Sequence, residues 1–119
     1  NAFRSLIDAN ALDVYQIDIA RNGFTDASYL SQRIEEIGAR PCNHCYTSPL
    51  TEAASLHWLS TCRDAFLFED CVEDEPMRHE LAIEKIQAED GWIDVPDRPG
   101  LGVTLNEDFV AAHVVAQSE

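Results

Sequence analysis

Three ionisable residues recur at nearly constant spacing along the chain: Asp18, His44 and Glu69. A carboxylate next to an imidazole fixes its tautomer and makes it a better base, so an Asp18–His44 pair would suit proton transfer. A second carboxylate, on Glu69, could hydrogen-bond a substrate or a developing enolate if it keeps its proton. Taken singly, each residue has a plainer interpretation as a helix cap, a loop histidine or a surface carboxylate. The matched spacing favours acid–base chemistry.

Each of the three residues ends a segment with strand character, and two helical patterns lie between these segments. The predicted strands are 14–19, 40–44 and 65–69. The first helix is predicted from about Thr25 to Gly38, and the second opens at Ser48-Pro49, a capping residue followed by proline. A further amphipathic stretch around Phe3 precedes the first strand. Strands that alternate with helices predict an α/β fold with parallel pairing through right-handed crossovers.

The alternation of side chains along a strand predicts which residues share a face. Asp18 is expected to point with Gln16, His44 with Cys42, and Glu69 with Leu67. The opposite faces, expected to pack against helices, carry Tyr15, Ile17, Phe66 and Phe68. The three ionisable side chains would then project from the C-terminal ends of consecutive parallel strands, where active sites of α/β proteins assemble. The prediction is that Asp18 and His44 lie within hydrogen-bonding distance, about 2.6–3.2 Å.

Charge and cysteine content restrict the function classes. The 119 residues carry a formal net charge of −14. Such an excess repels phosphate backbones and anionic lipids, so nucleic-acid and membrane-surface partners are not expected. The N-terminal residues lack the layout of a secretory signal, so a cytoplasmic protein is expected, with its four cysteines reduced and metal-free.

The character of the sequence changes after the third predicted strand. We therefore divide the chain into residues 1–75, which hold the repeating α/β units, and a tail, residues 76–119. The tail is predicted to contain a short helix beginning at Pro76 and a hairpin around Asp90-Gly91. A turn-rich loop and a last short helix capped by Asn106 complete it.

Four motifs in order resemble the C-terminal part of the enolase superfamily, in its mandelate racemase and muconate lactonizing enzyme group. The motifs are Gln16–Gly23, Asn43-His44, Phe68-Glu69 and the stretch 90–103. They are similar to the sixth barrel strand with its turn, the end of the seventh strand with its histidine, the glutamate closing the eighth strand, and the C-terminal hairpin and loop. The sugar-acid dehydratases of this group are the most similar.

The resemblance implies the C-terminal three or so of the eight βα units of a TIM-type barrel, followed by a hairpin and a short helix. It implies that Asp18 and His44 form a catalytic dyad and that Glu69 and Asn43 contact the substrate. The family reaction removes a proton α to a carboxylate with the help of Mg²⁺. The expected metal ligands precede this chain, so it should bind Mg²⁺ only weakly and be inactive alone. The resemblance also implies that the rest of the barrel and a capping domain are supplied in cis or by another chain. It implies a homo-oligomer as well.

Other functions stay open at this stage. A racemase or epimerase of the same group starts with the same proton abstraction, and a non-catalytic fragment would keep the fold without the activity. A different class of protein is a structural zinc domain. Its candidate ligands are the cysteines at positions 42, 45, 62 and 71. The eight residues between the last pair argue against that site.

Overall fold

A computed structural model describes residues 2–45 and 47–115 of the chain. The first five elements are α1 (Ala2–Asp8), β1 (Val14–Ile17), α2 (Ile19–Glu36), β2 (Arg40–Asn43) and α3 (Pro49–Leu59). Two short helices follow in the tail, α4 (Pro76–Glu80) and α5 (Glu107–His113). The order confirms the predicted mixed α/β architecture.

The two strands form a parallel sheet, with Val14 opposite Arg40 and Ile17 opposite Asn43. Helix α2 makes the crossover between them, as a βαβ unit requires. The parallel register brings the C-terminal ends of β1 and β2 to the same edge. Residues 18 and 44, which directly follow the two strands, therefore lie side by side.

The hydrophobic core lies on one face of the sheet. Tyr15 and Ile17 are fully buried, as the alternation along β1 predicts, whereas Val14 and Gln16 are exposed on the other face. Leu30, Ile34 and Trp58 of the covering helices complete this layer. The Tyr15 hydroxyl donates to the Leu6 carbonyl at 3.0 Å, which attaches α1 to the core. Trp58 of α3 is thus part of this core.

Helix α2 begins earlier than predicted. It starts at Ile19 rather than near Thr25, so β1 ends at Ile17 instead of Ile19. The helix is broken at Gly23, which has φ 70° and ψ 166°. Glycine has no Cβ and tolerates this left-handed φ, so a short first turn can precede the main amphipathic segment. The start of α3 is confirmed: Ser48 is its N-cap and accepts from the Thr51 amide at 3.3 Å.

The prediction of a third strand at 65–69 is wrong for this structure. The segment has no regular secondary structure, although it runs beside β2, where the Cys42 thiol lies 4.0 Å from the Leu67 carbonyl. Apolar content favours a strand, but a strand also needs a backbone ladder, and the described residues do not form one here. Phe66 is likewise not packed under a helix. It is half exposed, and the Arg40 guanidinium stacks over its ring.

The elements of the tail follow the predicted order, but the predicted hairpin is shorter than expected. Helix α4 begins at Pro76, and the Asn106 side chain caps α5 by accepting from the Phe109 amide. Asp90 and Gly91 both have positive φ, the conformation of a tight hairpin turn. In place of two flanking strands, the structure has one isolated antiparallel bridge, between Glu89 and Trp92. Within residues 2–45 and 47–115, no helix has the length and apolar character needed to cross a membrane.

Candidate active site

Asp18 and His44 meet at the shared C-terminal edge of β1 and β2. The Asp18 Oδ2 atom lies 3.3 Å from His44 Nδ1, slightly beyond the predicted distance but within hydrogen-bonding range. The Asp18 side chain is largely buried and the imidazole is partly exposed. A carboxylate on Nδ1 favours the tautomer with its proton there, which places the basic lone pair on Nε2. The contact therefore has the geometry that an acid–base pair requires, with Nε2 on the side of the ring away from Asp18.

Asp18 has a structural role as well. Its Oδ1 atom accepts from the Ala20 amide at 2.9 Å and caps α2. Its Oδ2 atom is shared between His44 and Arg21, whose Nε lies 3.2 Å away. The helix-capping contact and the contact with His44 are thus made by different oxygens of one carboxylate. The helix cap holds the carboxylate in the orientation that reaches the imidazole.

Glu69 lies at the same edge, although the segment before it is not a strand. Its Oε2 atom accepts from the Cys45 amide at 3.2 Å. Its charge also contributes, after burial, to raising the pKa of the Cys42 thiol. The three residues singled out from sequence, Asp18, His44 and Glu69, are thereby brought together around residues 42–45.

Asn43 is placed differently from the other three. It is completely buried on the side of the sheet that carries Ile17, its partner across the strands. Its side-chain amide forms hydrogen bonds with the backbone of Glu69 and does not face the exposed edge of the sheet. The geometry therefore does not support the expected contact between Asn43 and a substrate.

Sequence reasoning missed a second group of charged residues close to the site. Glu52, in the first turn of α3, is buried, and burial raises the pKa of its carboxyl to about 7. The charge of Arg78 in α4 opposes this shift, and Asp70 adds to it. Arg78 donates to Asp70 at 2.9 Å and also to the Cys71 carbonyl. The helix pattern could show Glu52 as a first-turn acid, but its burial and its charged neighbours Arg78 and Asp70 do not follow from that pattern.

Glu52 should make the stability of the protein depend on pH. Because its folded pKa of about 7 exceeds the ordinary 4.5, its stabilising contribution is complete below about pH 4.5 and is lost as the pH rises through about 7. We expect Glu52→Gln to raise the free energy of unfolding near pH 8 by roughly 3 kcal/mol and to flatten its pH dependence. Denaturant unfolding near pH 5 and pH 8 measures both effects. The matched control is Glu36→Gln, because Glu36 is exposed. If the free energy of unfolding of Glu52→Gln changed with pH as much as that of the wild type, the prediction would be contradicted.

The cysteines do not form the alternative metal site within the described residues. Among these, no cluster of three or more His, Cys, Asp or Glu side chains is arranged to hold a metal ion. All four cysteines are described, and none is joined in a disulfide. Burial raises the pKa of the Cys45 thiol to about 11, and the charge of Glu52 adds to it. A thiol of that pKa stays protonated at neutral pH, which disfavours thiolate redox chemistry at Cys45.

Parallel strands with polar side chains at their shared C-terminal edge are typical of the active-site end of α/β proteins, barrels among them. Comparison with known proteins gives the family: a model described as enolase C-terminal domain-like matches residues 1–109. The chain belongs to this family, within the mandelate racemase/muconate lactonizing enzyme group of the enolase superfamily, whose members are enzymes.

Known relatives agree with this membership. A D-xylonate dehydratase of Haloferax volcanii is 25% identical over 113 residues, which are 94% of this chain and 27% of that protein. A provisionally named mandelate racemase from Bordetella bronchiseptica RB50, solved with 2-oxoglutarate/phosphate, is 31% identical with a TM-score of 0.91, covering 99% of this chain and 32% of that one. A provisionally named mandelate racemase/muconate lactonizing enzyme from Burkholderia SAR-1 is 28% identical, with a TM-score of 0.85, over 98% and 29% of the two chains. The chain spans about a third or less of the length of these relatives.

Proposed function

We propose that this chain supplies the acid–base dyad of a sugar-acid dehydratase. The observation that carries the proposal is the 3.3 Å contact between Asp18 and His44 at the C-terminal edge of two parallel strands. The 25% identity to a D-xylonate dehydratase supports the choice of substrate class. A racemase or epimerase is the second candidate, favoured by the 31% identity to a provisionally named mandelate racemase.

In this proposal His44 moves a proton at the carbon next to the substrate carboxylate. Asp18 keeps the Nδ1 proton in place and stabilises the imidazolium that forms when Nε2 takes up a proton. Loss of the α-proton and of the β-hydroxyl releases one water molecule and leaves an enol, which becomes a 2-keto-3-deoxy acid. Glu69 contacts the carboxylate or enediolate end of the substrate, and it can donate a hydrogen bond there when it carries a proton.

The enolase-type reaction also calls for a divalent cation, which stabilises negative charge on the substrate. The residues that the structure describes do not provide a site for it, because they hold no suitable cluster of ligands. We propose that the complete enzyme uses Mg²⁺ and that its ligands lie outside this chain.

We further propose that this chain works with the rest of a barrel and a capping domain, in cis or as another chain. Strand β1 has β2 as its only strand neighbour in the described sheet, and Val14 and Gln16 are exposed on the face away from the helices. A parallel sheet is stable when both of its faces are covered, so further strands would satisfy this edge and this face. Homo-oligomerisation and a cytoplasmic location remain predictions, and the chain by itself is expected to be inactive.

The proposal is tested with the complete protein, Mg²⁺ and a panel of sugar acids that begins with D-xylonate, in D₂O. A dehydratase releases a 2-keto-3-deoxy acid, which is detected by its carbonyl. A racemase or epimerase instead leaves the hydroxyls in place and incorporates deuterium at the α-carbon. Formation of the keto acid supports the first candidate, and exchange without loss of water supports the second. A protein that does neither with any member of the panel would contradict the proposal.

A further inference from the structure

We propose that Asn43 is a positioning residue that holds Glu69 against the end of β2, next to His44. The Asn43 side chain is fully buried at the end of β2. Its Nδ2 donates to the Glu69 carbonyl at 2.9 Å, and its Oδ1 accepts from the Glu69 amide at 2.7 Å. A side-chain amide has one donor and one acceptor side, like a peptide group. Asn43 thus supplies the pairing that a strand ladder would otherwise give to the segment before Glu69.

The same clamp also orients the carboxylate. The Cys45 amide donates to Glu69 Oε2 at 3.2 Å, so the residues on either side of His44 both bind Glu69. Together, three hydrogen bonds fix the backbone and the side chain of Glu69 relative to residues 43–45. The position of the second carboxylate relative to the imidazole is therefore set by one short segment of chain.

Burial separates this role from direct substrate contact. Asn43 points to the same side of the sheet as Ile17, into the core, whereas His44 is partly exposed at the edge. A buried polar group that loses its hydrogen-bond partner lowers the stability of the fold. Substitutions of Asn43 that break its bonds to Glu69 should therefore destabilise this arrangement. Asn43 acts through Glu69, and the inference rests on the proposed function only in giving Glu69 a catalytic task.

The test uses Asn43→Asp in the complete protein. The aspartate keeps an oxygen that accepts from the Glu69 amide, but when ionised it cannot donate to the Glu69 carbonyl. Misplacement of Glu69 is expected to lower kcat for D-xylonate about 10- to 100-fold near pH 8. Protonation of the new carboxyl restores the donor, so the rate relative to wild type should rise as the pH falls. Gln32→Glu, an amide-to-acid change at an exposed position of α2, is the control and should change neither quantity.

Amide hydrogen exchange gives a second readout that needs no substrate. The Cys45 amide should be protected in the wild type and exchange faster in Asn43→Asp, because its acceptor is Glu69 Oε2. If the variant does not fold, hydrogen exchange in the wild type tests the inference. The side-chain amide protons of Asn43 should then exchange slowly, because they are protected from solvent. Unchanged rates and unchanged Cys45 protection in a folded variant, or rapidly exchanging Asn43 amide protons in the wild type, would overturn the inference. Failure of the proposed function is distinguishable, because an inactive wild type would leave the exchange results intact.

Discussion

Replacing His44 by asparagine in the complete enzyme is expected to reduce turnover of a sugar acid by about 10²- to 10⁴-fold. The asparagine amide can still donate to Asp18 from nearly the position of Nδ1, which lies 3.3 Å from Oδ2 in the structure. It has no nitrogen that can take up a proton, so the geometry is kept and the acid–base step is lost. Steady-state turnover and deuterium incorporation at the α-carbon measure the loss.

The matched control for His44 is a histidine of the tail. His79 is half exposed in α4, and its Nε2 lies 3.3 Å from a carboxylate oxygen of Asp74. We expect His79→Asn to leave turnover within about twofold of the wild type, since surface changes of this kind rarely matter. A His44→Asn enzyme that still exchanges the α-proton at the wild-type rate would remove His44 from the mechanism.

Replacing Asp18 by asparagine is expected to have the second-largest effect, a loss of about 10²- to 10⁴-fold in turnover. The neutral amide no longer stabilises the imidazolium, and its NH₂ group can donate to Nδ1, which moves the imidazole proton to Nε2. The nitrogen that should accept the substrate proton would then already carry one. Turnover across a range of pH measures the effect.

The two roles of Asp18 can be separated with a second variant. Asparagine is a good N-cap, so Asp18→Asn should keep the bond from the Ala20 amide that now reaches Oδ1 at 2.9 Å. Asp18→Ala loses the cap as well and should cost about 1 kcal/mol of stability in addition. Thermal unfolding compares the two variants. An active Asp18→Asn enzyme would show that Asp18 serves only as a helix cap.

The repeat of the βα unit made the contact between Asp18 and His44 predictable from sequence. Residues that directly follow two neighbouring parallel strands must lie at one edge, and alternation along the strands gives their side. The same rule predicted burial of Tyr15 and Ile17, which the structure confirms. It also places Asn43 on the buried side, opposite to His44. The expectation of a substrate contact for Asn43 came from the family resemblance and disregarded that alternation.

Features that depend on distant parts of the chain were not predictable in this way. The segment 65–69 has strand composition, but whether it pairs depends on a neighbouring strand, and here the Asn43 side chain takes that place. The charges that act on the buried Glu52 come from Arg78 in α4 and from Asp70, which lie far along the chain. Local patterns carry no information about such contacts, because propensity and periodicity describe only neighbouring residues.

The pairing of Asp18 with His44 is tested most directly by determining the tautomer of His44 with ¹⁵N NMR of its imidazole nitrogens. The contact between Asp18 Oδ2 and His44 Nδ1 predicts that the neutral ring carries its proton on Nδ1 and has an unprotonated Nε2. It also predicts that Asp18→Asn shifts the proton toward Nε2, while the exposed control Gln32→Glu leaves it on Nδ1. A neutral His44 that carries its proton on Nε2 in the wild type, unchanged in Asp18→Asn, would contradict the dyad.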